Sequence, residues 1–341
     1  MRKTLKDVAQ KAGVSVAVAS RVLGNYGYVS EENKEKVLKA AKQIGYYSDI
    51  LARSLKTKKT YSIGVIISDV TTFFFTSVVR GIEDVANQSG YHVTLCNSDE
   101  DPQKEREYLE ELYKRRVDGI IISPTNKNIA YVKKIMRSGI PVVLVDRKID
   151  EIDTTQILVD NEWASYEAVK HLINLGYRRI GAINGVKEIR TSEERFAGYK
   201  KALRESDIKI DPQLIKYGNF RMENGKEAMV ELLKMKEPPD AVFVANETMT
   251  TGALLALKEN EVKIPQEMAI IGFDDPVWAP LVDPPLTTIR QPSYSIGTIA
   301  SQVLLQKMDT RGRKTKHEEI ILKPKLIIRE SCGEKIKIKN K

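Results

Sequence analysis

Residues 4–30 read TLKDVAQKAGVSVAVASRVLGNYGYVS, and their spacing predicts two short helices joined by a tight turn. Residues 4–12 carry the apolar pattern of an amphipathic helix, Gly13 interrupts it, and a second helical pattern runs over 15–23. This arrangement is typical of a helix-turn-helix, in which the second helix can lie in the major groove of DNA.

The side chains of this segment divide into an inner set and an outer set. Thr4 and Ser15 stand where an N-cap hydroxyl accepts a backbone N–H. A third helix is predicted to begin with Ser30 as its cap, to run through Val37, Leu38, Ala41 and Ile44, and to end at Gly45. The small apolar residues expected in the core of the motif are Val8, Ala9, Ala12, Val14, Val18 and Val22. The residues expected on the outer face of the second helix are Val16, Ala17, Ser20 and Arg21.

The outer face has the chemistry of a DNA-reading surface. Val16 and Ala17 can touch a thymine methyl group, and Arg21 can bridge O6 and N7 of guanine. Phosphate contacts are expected from Ser15, Ser20 and Tyr28. Thr4 completes the DNA-binding residues predicted for this segment.

Positive charge is concentrated at the N-terminal end of the chain. Residues 1–60 hold 13 Lys and Arg against 5 Asp and Glu, which gives +8 of the net +9. Residues 61–322 hold 35 against 39, and residues 323–341 hold 7 against 2. A basic excess confined to one small module favours a polyanion-binding surface. A solvated basic helical domain is the alternative, and the basic tail is expected to be a frayed terminus.

From residue 61 short apolar runs alternate with amphipathic helical patterns, which predicts parallel sheets covered by helices. The predicted strands are 62–68, 92–96, 119–123, 141–145, 179–183, 241–245 and 268–273. The predicted helices are 75–89, 102–116, 128–138, 162–175, 192–205, 223–236 and 248–260. Two doubly wound halves in tandem indicate a two-lobed α/β body with a cleft between the lobes.

Short polar side chains follow the predicted strands. They are Asp69, Asn97, Ser123, Asp146, Asn184, Asn246 and Asp274. In open α/β sheets ligands bind outside the carboxyl ends of the strands, so these side chains are candidates for binding a hydroxyl-rich small molecule. Turn formation is the alternative, because Asp and Asn also favour turns.

Several aromatic and histidine side chains lie near these strand ends or elsewhere in the body. Phe73, Phe74 and Phe75 follow the first strand, and we expect one of these rings to close the pocket while the others pack in the core. Phe74 is taken as the candidate, although the sequence does not decide which of the three rings closes the pocket. Trp278 either lines the cleft or only covers a lobe. The three histidines, His92, His171 and His317, are expected to be structural.

Composition and motifs exclude several classes of protein. No apolar run approaches the ~20 residues of a membrane span. No signal-peptide core follows the N-terminus, so we expect a cytoplasmic protein with no membrane partner. Cys96 and Cys332 are too few and too distant in sequence for a disulfide framework or a zinc site, and Cys96 is expected to be a small core residue. No nucleotide-binding glycine motif, metalloprotease motif or nucleophile elbow is present, so no cofactor is expected.

Motifs along the whole chain carry a resemblance to one family. They are the run at 4–30, then EKVLKAAKQIGY, LARSLKTKKTYSIGVI, PVVLVDR, ERFAGYKKAL, FVANE, and GFDD followed by PPLTTIRQP. The chain resembles LacI/GalR (lactose-repressor/galactose-repressor) family regulators to about residue 330. The resemblance implies a homodimeric repressor of carbohydrate-metabolism genes. Its affinity for a pseudo-palindromic double-stranded DNA operator would be controlled by a small sugar-like effector.

The resemblance also implies a division of the chain. The implied segments are a helix-turn-helix headpiece over 1–47, a hinge helix and linker over 48–60, an effector-binding and dimerisation body over 61–330 and a basic tail over 331–341. The family shares this body with periplasmic binding proteins. The implied lobes are lobe 1, about 61–160 and 291–321, and lobe 2, about 161–290 and 322–330, with crossings near 160, 290 and 322.

Two residues match the family's effector-contacting acid and arginine, namely Asp274 in GFDD and Arg195 in ERFAGY. The full set of expected effector contacts is Asp69, Phe74, Ser123, Asp146, Arg195, Asn246 and Asp274. The family usually has Asn-Asp where this chain has Asn246 and Glu247, and the longer side chain is expected to alter the size of the pocket.

Residues 49–56, DILARSLK, match the family's hinge helix, which forms on DNA and inserts a leucine into the minor groove. The resemblance assigns Leu55 as the wedge, Ala52 as the site of close approach and Arg53 as a charge at the groove. A helix this short is unstable alone in water. The alternative is a flexible tether.

Two other functions stay open on the sequence alone. One is an α/β enzyme that acts on a sugar or sugar acid through Asp and Glu residues, and the other is an architectural DNA-binding protein that needs no effector. The effector, its action as inducer or co-repressor, the operator and any higher oligomer or co-regulator are left undetermined.

Overall fold

The computed structural model describes four stretches of the 341-residue chain, residues 3–24, 27–46, 59–310 and 317–334. The chain divides into two compact units, with the division between Tyr61 and Ser62. Among the described residues, no helix combines the length and the apolar character needed to cross a bilayer.

The described residues of the N-terminal unit form three helices, α1 (Leu5–Ala12), α2 (Val16–Gly24) and α3 (Glu31–Ile44). Thr4 caps α1 in a reciprocal capping box with Asp7, and Ser15 Oγ accepts an N–H from the first turn of α2. Gly13 and Gly45 end α1 and α3 in the left-handed conformation that glycine tolerates. The predicted helix-turn-helix is therefore confirmed.

The core of this unit consists of the buried residues Val8, Ala9, Ala19, Val37, Ala40 and Ala41. Ala19 was not predicted for the core but is fully buried, whereas Leu38 is 49% exposed. The reason is helix phase, because Val37, Ala40 and Ala41 share the inner face of α3 and Leu38 points away from it. Ser30 precedes α3 as predicted, but its hydroxyl makes no capping hydrogen bond.

In the part of the body that the structure describes, the strands form two six-stranded sheets. The sheet of lobe 1 consists of β1 (Ser62–Ile67), β2 (His92–Asn97), β3 (Gly119–Ile122), β4 (Val142–Val145), β5 (Gln156–Val159) and β11 (Glu319–Leu322). The sheet of lobe 2 consists of β6 (Ile180–Asn184), β7 (Ile215–Tyr217), β8 (Ala241–Val244), β9 (Ala269–Phe273), β10 (Thr287–Arg290) and β12 (Lys325–Ile327). The strand orders are β11-β5-β4-β3-β1-β2 and β12-β10-β9-β8-β6-β7, and all neighbours are parallel except β10 and β12.

Helices cover these sheets. They are α4 (Phe73–Gln88), α5 (Pro102–Lys114), α6 (Ile129–Arg137), α7 (Asn161–Asn174), α8 (Arg190–Arg204), α9 (Met222–Leu233), α10 (Glu247–Glu259) and α11 (Ser293–Asp309), with a 3-10 turn at Pro212–Leu214. The predicted seven strands and seven helices are all present within a few residues of their expected bounds. The sequence did not predict β5, β7, β10, β11, β12 or α11.

Helix α11 lies against α4 with the two backbones in contact. A Cβ added at Gly297 would lie 2.0 Å from the Val78 carbonyl oxygen, and one added at Gly81 would lie 2.3 Å from the Tyr294 carbonyl oxygen. Because no side chain fits there, these glycines set the spacing of the helix pair. Helix α11 also packs on β3, β4 and β5, which joins it to lobe 1 although the preceding strand, β10, belongs to lobe 2.

The chain passes between the lobes three times, from β5 to α7, from β10 to α11, and from β11 to β12. Several crossings at one place allow two lobes to hinge against each other.

The expected boundary between the body and the basic tail, at residue 330, needs correction. Ser331 and Cys332, assigned to the tail, are buried in lobe 2, where Ser331 Oγ donates to the Ile270 carbonyl at 2.7 Å. Cys96 is buried as predicted, and burial raises the pKa of its thiol to about 11.

Candidate functional site

A cleft in the body lies at the carboxyl ends of strands from both lobes. The residues that line it are Asp69, Thr72, Phe74, Phe75, Glu100, Asp146, Arg147, Thr191, Arg195, Asn219, Phe220, Arg221, Asn246, Asp274 and Gln291. Its volume is about 60 Å³, well below the ~300–1,000 Å³ of ordinary small-molecule sites. The lobes therefore stand closed on each other, and a sugar-sized molecule enters only if they or their side chains move.

Six of the seven residues predicted to contact an effector line this cleft: Asp69, Phe74, Asp146, Arg195, Asn246 and Asp274. The seventh, Ser123, is fully buried behind them and donates to Asp146 Oδ2 at 3.2 Å. In this arrangement Ser123 orients Asp146, and its direct contact with an effector stays a prediction. Asn97 is also outside the lining, and its Oδ1 accepts the Val70 N–H at 2.9 Å in the loop after β1.

Arg195 and Asp274 are two buried residues of lobe 2 whose opposite charges act on each other. Arg195 Nε donates to Asn161 Oδ1 at 2.9 Å and Nη1 donates to the Ala245 carbonyl at 2.7 Å, while the guanidinium stacks 3.7 Å above the Phe273 ring. Burial lowers the pKa of Arg195, and the charge of Asp274 opposes that change. Arg195 therefore lies inside the lobe and not on a helix surface, because only 5% of the residue is exposed.

Asp274 and Asp146 occupy equivalent positions just beyond strands of the two sheets. Both have left-handed backbone conformations, with φ of 74° and 67°, which is strained for most side chains but tolerated by Asp. Burial raises the pKa of both carboxyls, and Arg195 opposes the rise at each. Gln291 Nε2 donates to Asp274 Oδ1 at 2.6 Å. One cation thus faces carboxylates from both lobes.

The sequence did not single out Arg147 and Glu100 in lobe 1. Arg147 is buried and donates through Nη1 to Glu100 Oε2 at 2.7 Å, while its Nη2 contacts the other carboxylate oxygen. A bidentate pair of this kind holds both side chains in one orientation. The sequence offered one signal for Arg147, because Asp146 and Arg147 form a charged pair directly after the fully buried strand β4.

Three polar contacts join the lobes around the cleft. Arg221 Nη1 of lobe 2 donates to Asp69 Oδ2 of lobe 1 at 2.9 Å, and Arg190 Nη1 donates to Asp150 Oδ2 at 3.0 Å. The Phe73 N–H donates to Glu247 Oε2, also at 2.9 Å. Sequence patterns gave no signal for these contacts, because each joins residues from different lobes.

Glu247, the longer side chain that was expected to alter the size of the pocket, contacts the other lobe. It is not among the residues that line the cleft, and its carboxylate instead reaches across to the backbone of α4. Burial and the nearby charges of Asp274 and Asp69 raise the pKa of Glu247 to about 7, although the Phe73 hydrogen bond lowers it.

The three phenylalanines at the start of α4 divide between the cleft and the surface. Phe74 and Phe75 are buried, line the cleft and pack edge to face with ring centroids 4.9 Å apart. Phe73 is 38% exposed and lies outside the cleft. Trp278 packs on the core of lobe 2 and is also outside the lining.

In the N-terminal unit, α2 presents an exposed face. Val16 is 46% exposed, Ala17 and Arg21 are exposed, and Ser20 is half-buried. Tyr28 is 90% exposed. The hydroxyls of Thr4 and Ser15 accept N–H groups from the first turns of α1 and α2. The predicted hinge residues, Ala52, Arg53 and Leu55, lie outside the described residues.

Two family models match the chain. Residues 4–49 match bacterial regulatory proteins of the lacI family. Residues 60–330 match periplasmic binding proteins and the sugar binding domain of the LacI family.

Similar proteins match over almost the whole chain. The probable HTH-type transcriptional regulator EndR of Paenibacillus polymyxa is 38% identical over 324 residues, which are 94% of each chain. The HTH-type transcriptional repressor CytR of Escherichia coli (strain K12) is 36% identical over 328 residues, 96% of each chain. The solved structure of the Lac repressor dimer bound to operator and the anti-inducer ONPF is 27% identical, with a TM-score of 0.86, covering 97% of this chain and 99% of that one.

A helix-turn-helix unit joined to a two-lobed body of parallel sheets defines a DNA-binding transcriptional regulator. The chain belongs to the LacI family. Because its relatives are named as transcriptional regulators, it is a regulator and not an enzyme.

Proposed function

We propose that the protein is a homodimeric repressor of carbohydrate-metabolism genes whose affinity for a pseudo-palindromic operator is set by a sugar-like effector bound in the cleft. The observation that carries this proposal is the convergence of Arg195, Asp146 and Asp274 on one cleft, in a chain whose residues 4–49 match a DNA-binding family.

The chemistry of the cleft favours a polyol or a sugar acid. Asp274 and Asp146 can accept hydrogen bonds from hydroxyl groups, Asn246 can donate or accept them, and the Arg195 guanidinium can donate to a hydroxyl or carboxylate oxygen. Phe74 and Phe75 supply apolar ring surface beside these groups. A wider recess nearby is lined in part by the exposed acids Glu151 and Glu188. Because these acids remain hydrated, the recess is less suited than the cleft to bind one small molecule specifically.

Lobe movement supplies the means of control. The Arg221–Asp69, Arg190–Asp150 and Glu247–Phe73 contacts form in the closed arrangement and break when the lobes separate. An effector that binds the two arrangements with different affinity shifts the population between them. Operator affinity changes by the same coupling free energy.

The exposed face of α2 supports operator recognition. Val16, Ala17 and Arg21 would meet base edges, while Ser15, Ser20, Tyr28 and Thr4 would contact the phosphate backbone. We further propose that Leu55 enters the minor groove between two hinges, with Ala52 and Arg53 beside it.

An exposed apolar surface on the body supports self-association. Val277 is 72% exposed, Leu281 is 81% exposed and Tyr294 is 47% exposed, and a groove between Phe73 and Tyr294 adjoins them. Large apolar side chains clustered on a surface mark protein contacts. We propose that this surface meets its counterpart in a second copy of the chain.

A two-stage experiment tests the function. A thermal-shift screen against sugars, sugar acids and nucleobases identifies the effector, since a ligand at 100 times its Kd adds about 2.7 kcal/mol to the native state. Fluorescence anisotropy with a selected operator then measures DNA affinity with and without that compound. A repressor shows both sequence preference and effector dependence. Binding that depends on salt alone would identify an architectural protein and contradict the proposal.

A further inference from the structure

Three side chains with metal-binding atoms converge on lobe 2, outside the residues that line the cleft. His171 lies in the last turn of α7, and Cys332 and Glu334 follow β12. His171 Nε2 lies 3.3 Å from Cys332 Sγ and 3.1 Å from Glu334 Oε2. The ligand atoms of these three side chains all lie within 4.8 Å of one another. Among the described residues, no other group of three or more His, Cys, Asp and Glu side chains was found that could hold a metal ion in this way.

The backbone between Cys332 and Glu334 makes this convergence possible. Gly333 has φ of +87°, a conformation that other residues rarely adopt. A Cβ at Gly333 would lie 2.6 Å from the Tyr177 hydroxyl, so a side chain would not fit. The glycine turns the chain so that residues on either side of it face the same histidine.

Hydrogen bonds leave one atom of this group, Glu334 Oε2, without a partner, whereas Cys332 Sγ also lies 3.4 Å from the Arg329 carbonyl oxygen and can donate to it. Nε2 of an imidazole carries either one hydrogen or one lone pair, so it makes one strong hydrogen bond at most. Two acceptor atoms, Cys332 Sγ and Glu334 Oε2, nevertheless lie beside it. Glu334 Oε2 is shielded from solvent and makes no hydrogen bond with the described residues, and Cys332 is fully buried. A buried carboxylate oxygen needs a hydrogen bond or a cation.

A zinc ion fits the two separations that involve His171, and Cys332 Sγ and Glu334 Oε2 lie within 4.8 Å of each other. Zinc lies about 2.3 Å from sulfur and about 2.0–2.2 Å from nitrogen or oxygen, and tetrahedral angles then separate the ligand atoms by roughly 3.3–3.6 Å. The observed nitrogen–sulfur distance of 3.3 Å and nitrogen–oxygen distance of 3.1 Å need changes of only a few tenths of an ångström.

We propose that His171 Nε2, Cys332 Sγ and a Glu334 carboxylate oxygen bind one Zn²⁺ ion. The zinc–sulfur bond forms as the Cys332 thiol releases its proton to solvent. Three protein ligands leave the fourth position for water. The ion links α7 to a segment about 160 residues later in the sequence and stabilises lobe 2.

Cobalt and zinc titrations of the full-length, untagged protein test this site after treatment with a chelator. Co²⁺ is expected to bind with one ion per chain and to give the near-ultraviolet charge-transfer band of a cobalt–thiolate bond. Zn²⁺ is expected to displace it and to raise the thermal unfolding midpoint.

Three variants test whether these side chains hold the ion. Cys332→Ser is expected to remove the charge-transfer band, and Glu334→Gln to weaken Zn²⁺ binding at least tenfold. Glu334→Gln changes a partly exposed side chain of the same size, so its fold should be intact. Cys96→Ser is the matched control, and its band should equal that of the parent. Absence of the band in the parent, or Zn²⁺ binding unaffected by Cys332→Ser and Glu334→Gln, would overturn the proposal.

Discussion

Glu247 should make the stability of lobe 2 decrease as the pH rises through neutrality. Its carboxyl is partly buried at the start of α10, accepts the Phe73 N–H, and lies near the carboxylates Asp274 and Asp69. The cations Arg195 and Arg221 face those two acids and offset part of their charge. These surroundings raise the pKa of Glu247 from 4.5 to about 7.

The direction follows from proton binding. The folded protein holds the Glu247 proton at pH values where the unfolded chain has lost it, so unfolding releases a proton. The favourable contribution is therefore complete below pH 4.5 and is lost as the pH rises through about 7. At about 1.4 kcal/mol per pKa unit the full effect is roughly 3 kcal/mol. Solvent screening at this partly accessible carboxyl reduces the expected figure to about 2 kcal/mol.

Urea unfolding of the parent and of Glu247→Gln at pH 5 and pH 8 measures this contribution. The two tryptophans, Trp163 and Trp278, both pack on the core of lobe 2, so their fluorescence reports on the lobe that contains Glu247. The free energy of unfolding of the parent should fall by about 2 kcal/mol more than that of the variant between the two pH values. Glu223→Gln, at an exposed position on α9, is the control and should behave as the parent does. An equal pH dependence in the parent and Glu247→Gln would refute the reasoning.

Five further substitutions address the DNA surface, the linker, the cleft and the packing. Arg21→Ala should cost roughly 1–3 kcal/mol of operator binding and relax preference at one symmetric G·C position; an unchanged motif in a binding-site selection would contradict this. Leu55→Ala should bend operator DNA less than the parent in a gel-based bending assay, because the wedge that unstacks a base step is lost. Arg195→Ala and Asp274→Ala should each leave effector-free operator binding intact but weaken the effector response at least tenfold, about 1.4 kcal/mol; a parental response from Asp274→Ala in an anisotropy titration would remove it from the site. Gly297→Ala should destabilise the body by roughly 1–3 kcal/mol in urea, because its new methyl group would contact the backbone of α4; an unchanged unfolding midpoint would show that the helix pair can separate freely.

Local sequence patterns predicted the motif and the strands that carry the site. Thr4, Gly13 and Ser15 mark helix ends through side-chain caps and backbone conformation, which depend on a few neighbouring residues. Fully buried strands such as β3 and β4 appear as continuous apolar runs, since parallel sheets are covered on both faces. The acidic residue directly after β4, Asp146, could therefore be assigned to the cleft.

The sequence by itself determined the helix-turn-helix, most of the alternating α/β pattern and six of the residues that line the cleft. It did not predict the partly exposed strand β11 or the helix α11, which has Gly297 on its packed face and so lacks a strong apolar pattern. Tertiary structure alone decided that Arg221 meets Asp69 and that Glu247 reaches Phe73, residues 152 and 174 positions apart. Such contacts depend on how two lobes with separate sheets close on each other. Local periodicity carries no information about contacts between residues so far apart in the sequence. Side-chain period and capping act within a few residues, whereas the burial that shifts the pKa of Glu247 arises only after distant segments have packed together.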